Sequence, residues 1–136
     1  MRELAVGALA TGLFAMGAGT AFAASWHDIP TLSTGGAKFH HGEYAWHPAG
    51  KDHGAFEWKG QLQDADHGDD HNVYVQVKVE GYDWSRYSGK QGQTVPLNYS
   101  NWAPLQRYTD DAYIRVCRDK GSFTPDNCSP TKHYQR

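Results

Sequence analysis

The chain has 136 residues, a formal charge of -2 and a mean hydropathy of -0.72, enough for one domain and too little for two ordinary ones. Thirteen basic residues against 15 acidic ones leave no electrostatic footprint for a nucleic acid, so that class of partner is excluded from the reading. The charge is unevenly placed: Ala24 to Glu80 is acidic, with four lysines against nine acids, and Gly81 to Arg136 is basic, with eight against five.

From Leu4 to Ala18 the residues are apolar and small, broken by Gly7, Gly12 and Gly17, and the run leads to Ala21-Phe22-Ala23, the small-x-small pattern of a leader cleavage site. The run is shorter than the roughly 20 residues that span a bilayer. Residues 1–23 therefore read as a signal peptide, cleaved after Ala23, and the mature chain as secreted and extracellular with no membrane span. Residues 24–55 are rich in Gly, His and Pro and keep no period for long. They read as an irregular arm, with a short strand at most over Lys38 to Trp46.

From residue 56 to 136 the pattern is that of a β domain. Phe56, Trp58 and Leu62 fall on one parity and Glu57, Lys59, Gln61 and Gln63 on the other, a half-buried strand. Val73, Val75, Val77 and Val79 alternate with Tyr74, Gln76, Lys78 and Glu80, the strongest periodic signal in the chain. Between them lies DADHGDDH, residues 64 to 71, so the two strands read as a hairpin or as antiparallel neighbours in one sheet, with the octet as the loop. GYDWSRYSGKQGQT reads as a loop, and VPLNYSNWAP as a short edge strand at most, because Pro96 has no N–H for a ladder. Ala112, Ile114 and Val116 alternate with Tyr113, Arg115 and Cys117, a third strand.

Cys117 and Cys128 are the only cysteines, and in an exported chain an even pair this close reads as a disulfide. No segment carries an amphipathic helix. The expected fold is all-β, a small antiparallel sandwich or barrel-like domain with a disulfide-tied C-terminus.

At VYVQVKVEGYDWSRY and AYIRVCRDKGSFTPDNCS the sequence resembles small secreted actinobacterial proteins that end in a Val-Cys-Arg-Asp, Pro-Asp-Asn-Cys arrangement. The likeness covers roughly the last half of the chain. It implies export, an all-β domain and a Cys117–Cys128 bridge. Those proteins carry no assigned activity, so the resemblance implies no catalytic residue.

The octet supplies donors for a metal: Asp64, Asp66, Asp69 and Asp70 offer carboxylate oxygens and His67 and His71 imidazole nitrogens. Its spacing departs from the calcium-loop template, since Gly68 comes one residue early and Tyr74 stands where the bidentate Glu is needed. An i, i+4 histidine pair converges on one ion only on a helix. A solvated loop is the favoured reading, a specific metal site the minority one and a weakly held divalent cation the remainder, with no cofactor required. His27, His40, His41, His47 and His53 crowd the amino-terminal segment without a ligand spacing that matches a template.

Aromatic residues are the other resource. Tyr74, Trp84, Tyr87, Tyr99, Trp102 and Tyr108 fall on the polar parity or in loops, where Trp and Tyr anchor contacts to sugars and proteins. Trp84, Tyr87, Tyr99, Trp102 and Tyr108 are the expected binding residues. There is no G-x-S-x-G elbow, no H-E-x-x-H and no lone reactive cysteine in the sequence, and no catalytic residue is assigned. The leading expectation is a secreted, non-enzymatic β domain that binds an extracellular polysaccharide or protein through aromatic loops. The alternative is a small extracellular metal-dependent hydrolase or metal-binding protein that uses the His/Asp loop.

Overall fold

A computed structural model describes residues 25–105 and 109–136; the expected signal peptide lies outside them. The described chain forms ten strands: β1 (His27–Ile29), β2 (Leu32–Thr34), β3 (Ala37–Trp46), β4 (Phe56–Asp64), β5 (Val73–Val79), β6 (Ser85–Ser88), β7 (Thr94–Asn101), β8 (Asp111–Arg118), β9 (Asn127–Cys128) and β10 (Lys132–Gln135). The first sheet runs β1-β3-β4-β7, with β2 also on β3; the second runs β10-β8-β5-β6, with β9 also on β8. All pairings are antiparallel. The fold is thus all-β, a sandwich of two antiparallel sheets. Among the described residues no helix is long and apolar enough to cross a membrane.

Alternation builds the core. Phe56, Trp58 and Leu62 of β4 and Val73, Val75, Val77, Ile114 and Val116 of β5 and β8 are buried and meet between the sheets. Phe39 of β3 joins them, edge-on to Trp58 with ring centroids 5.9 Å apart. Its ring lies over Gly60, where an added Cβ would fall 2.3 Å from the Phe39 ring. Truncating a ring so placed typically costs about 3–5 kcal/mol.

The amino-terminal segment differs from expectation except over Lys38 to Trp46, where the expected strand is present as β3 (Ala37–Trp46). Residues 24–55 contain β1, β2 and β3, and β3 pairs along its length with β4, so this is no arm and residues 56–136 are not a separate domain. A bulge hides this strand's full extent from the sequence pattern. Pairing shifts by one residue between His40 and Glu43, and His41 takes a left-handed φ of 55°. One extra residue exchanges the faces: Phe39 points inward before the bulge, Tyr44 and Trp46 pack on the core after it, and no single alternation survives.

Three further expectations are corrected. β4 and β5 belong to different sheets, so the octet is not a hairpin loop but a connection crossing the sandwich. The stretch from Gly81 to Thr94 holds β6, paired with β5. β7 is eight residues long and pairs with β4 throughout; it lies at the sheet edge, where Pro96 is tolerated. The disulfide is as expected: Cys117 and Cys128 sit opposite each other on β8 and β9 and are bonded.

Candidate functional site

The pairing registers place a continuous set of side chains on the outer face of the second sheet. Lys78 on β5 is opposite Tyr113 on β8, which is opposite His133 on β10; Gln76 is opposite both Arg115 and Arg86. Trp84, directly before β6, lies beside Lys78. The cations and rings interleave. The Lys78 ammonium is 5.1 Å from the Trp84 ring centroid and 5.0 Å from that of Tyr113, and the Arg115 guanidinium is 4.2 Å from Trp84. Tyr113 stacks on His133 at 4.3 Å, and His133 Nε2 is 2.8 Å from Asp111.

Tyr74 belongs to the same face but is covered. Arg86 lies 3.7 Å over its ring and bridges to Asp119 at 2.7 Å, while the Tyr74 hydroxyl donates to Asp126. Only 4% of Tyr74 is exposed, so its expected role in contacts is withdrawn. Burial, then the hydrogen bond and charge of Asp126, push its phenol up to about 12. The same bond, with a second from the Lys120 amide, holds Asp126 below the ordinary carboxylate range.

The expected binding residues do not form one patch. Trp84 is on the sheet face just described. Tyr87 and Tyr99 meet at the β6/β7 edge of the sandwich, centroids 4.3 Å apart, both against Trp58. Asn101 ties this group together: Trp58 Nε1 donates to its Oδ1 at 2.8 Å and its Nδ2 donates to the Tyr87 oxygen at 2.7 Å. Tyr99 remains 45% exposed. Trp102, 43% exposed, follows β7 and stacks at 6.4 Å on His53. Tyr108 lies outside the described residues.

The octet is organised as a connection. Asp64 is fully buried and accepts the amides of Asp66 at 3.2 Å and Gly92 at 2.8 Å. Asp69 accepts the His71 amide at 2.8 Å and pairs with Arg118 Nε at 2.8 Å. The His71 amide, more than the neighbouring Arg118 charge, keeps the Asp69 carboxyl below its usual range. Asp66, His67 and Asp70 point to solvent and His71 is half-buried. Two carboxylates of the expected metal set are thus committed to backbone and arginine. Among the described residues no three His, Cys, Asp or Glu side chains are placed to hold an ion.

The amino-terminal histidines are dispersed. His27 packs on Tyr44, His40 and His41 face each other, His47 bonds Glu57 and His53 meets Trp102. Lys78, Tyr113 and Arg115 were not among the residues expected to bind. Their signal was present as the polar parity of β5 and β8, which alternation alone labels only as the wet side.

The chain matches no protein-family model, no curated protein and no solved structure.

Proposed function

We propose that this protein is a secreted recognition domain that binds an extracellular polysaccharide on the outer face of its second sheet and carries out no catalytic step. The observation that carries this reading is Trp84: a partly exposed indole fixed on a sheet face, beside Tyr113. Rings held in place on a sheet face stack on sugars at low entropic cost, since their rotamers are already restricted. Export is supported by the leader-like start of the sequence and by the disulfide, a bond favoured in oxidising compartments. A polysaccharide is preferred over a protein partner because the rings on this face are interleaved with cations and polar groups rather than gathered into a contiguous apolar centre.

The test is retention on immobilised cell-wall and plant polysaccharides and on a glycan array. Binding is expected for the purified mature chain. Trp84→Ala should abolish it while leaving the unfolding temperature within a few degrees, whereas Trp102→Ala, on a separate surface, should leave it intact. Absence of binding to every polysaccharide, or loss with Trp102→Ala but not Trp84→Ala, would refute the proposal.

A further inference from the structure

The partners of the cations on this face carry information about the ligand. A carboxylate partner holds a cation in place and cancels its charge; an aromatic ring or an amide holds it and leaves the charge available. Arg86 is of the first kind, bridged to Asp119 at 2.7 Å. Lys78 and Arg115 are of the second. Lys78 sits between Trp84 and Tyr113. Arg115 rests on Trp84 and donates through Nε to Gln76 Oε1 at 2.8 Å. Among the described residues neither has a carboxylate within 4.0 Å, and no hydrogen bond occupies the terminal nitrogens of Arg115.

Resting on the reading of this face as a polysaccharide site, we infer that its ligand is an acidic polysaccharide, one whose sugars bear carboxylates, received by Lys78 and Arg115 beside the ring of Trp84. Both cations project from the same sheet face on adjacent strands, at diagonal positions two residues out of register, a backbone spacing of about 7–8 Å. With Nε committed to Gln76, Arg115 presents its two terminal nitrogens as a planar fork, the geometry that suits a carboxylate. Because rings and an amide already fix both side chains, little rotamer freedom is lost when the anion arrives. The acids around this face have other partners: Asp119 and Asp126 are engaged by Arg86 and Tyr74, Asp111 by His133, and Glu80, two residues from Lys78, by the amides of Asp110 and Asp111.

The experiment is affinity electrophoresis and fluorescence titration with polygalacturonate, set against neutral dextran, dextran sulfate and single-stranded DNA. Polygalacturonate is expected to bind, with affinity falling steadily as salt is added. Lys78→Gln and Arg115→Gln should each weaken it by about tenfold, and Lys90→Gln, in an exposed turn, should not. Lys78→Arg keeps the charge between the same two rings and should keep binding, which separates charge from folding; unfolding temperatures of all variants are measured alongside.

Salt-independent binding of dextran, unaltered by Lys78→Gln and Arg115→Gln, would overturn the acidic-ligand inference and leave the polysaccharide reading standing. Equal or tighter binding of dextran sulfate or DNA would overturn the assignment to carboxylates. Failure to bind any glycan would overturn both.

Discussion

The Tyr74 hydroxyl donates its proton to the carboxylate of Asp126, 52 positions further along the chain, and so fastens the turn before β9 to the central strand of the second sheet. Burial and this carboxylate raise the Tyr74 pKa to about 12, and the bond lowers that of Asp126. The raised phenol contributes stability that is fully present below about pH 10, its unfolded value, and is lost as pH climbs through about 12. The depressed carboxyl contributes stability present above about pH 4 and lost as pH falls through its lower folded value. A phenolate absorbance titration should show a late-ionising tyrosine that Tyr74→Phe removes. At neutral pH Tyr74→Phe should lose about 2 kcal/mol, the usual worth of a hydrogen bond to a charged group. An unaltered titration curve in Tyr74→Phe would contradict the assignment.

Gly60 lies under the Phe39 ring, with room for no further carbon. Gly60→Ala should therefore destabilise by about 1–3 kcal/mol, the range for overpacking a filled core. The loss should shrink in a Phe39→Leu background, because the two changes share one space. Denaturant unfolding of the two single variants and the double variant measures this coupling; strict additivity would place the strain elsewhere.

The two halves of the DADHGDDH connection should respond differently. Asp64→Ala removes the buried acceptor of the Asp66 and Gly92 amides and should cost about 1–3 kcal/mol, whereas Asp66→Ala, at an exposed position, should stay within about 0.5 kcal/mol. Calcium or zinc titration followed by thermal unfolding is expected to give no saturable shift. A one-to-one stabilisation removed by Asp69→Ala would instead mean that an ion displaces Arg118 from that carboxylate.

Intact mass should be lower by two hydrogens than the reduced chain, and neither Cys117 nor Cys128 should react with a thiol reagent before reductant is added. Reduction opens a loop with a sequence separation of 11, for which the chain-entropy account gives a loss of about 3 kcal/mol. Chemical denaturation with and without reductant checks the figure.

β4, β5 and β8 could be read from the residues because each keeps one alternation from end to end, with valine, isoleucine or large aromatic residues on the inner parity. β3 could be read only as a short strand. Its bulge divides ten residues into two short runs of opposite parity, each within the length at which chance alternation is common. The partnership of β4 and β5 is not legible in the sequence because a polar Gly- and Asp-rich segment serves a hairpin and a crossing equally well; what distinguishes the crossing is buried Asp64, a contact across the fold rather than a local pattern. At the site, Trp84 was legible as an aromatic residue outside the core parity. Lys78 and Arg115 looked like ordinary solvated cations, since the rings beside them come from other strands. Tyr74 misled for the complementary reason: it sits on the wet parity, and Arg86 and Asp126 close over it.

The bulge in β3 also determines how this strand can be edited. Toward β4 it carries one residue more than its partner, since His40 is opposite Gln61 and Glu43 opposite Lys59; toward β1 and β2 it stays in step, with Ile29 opposite Gly42 and Leu32 opposite Phe39. The residue surplus to one neighbour is thus required by the other. Excising His41 would restore unbroken alternation against β4, with Gly42 facing Gly60, and would leave Pro30 and Thr31 spanning the length of one residue between β1 and β2. Loss of Lys38 instead would push Phe39 toward water or drag every later pair out of step. A chain lacking residue 41 should thus keep the β3–β4 ladder and lose stability through β1, while one lacking residue 38 should not fold, a difference that denaturant unfolding of the two deletion variants measures.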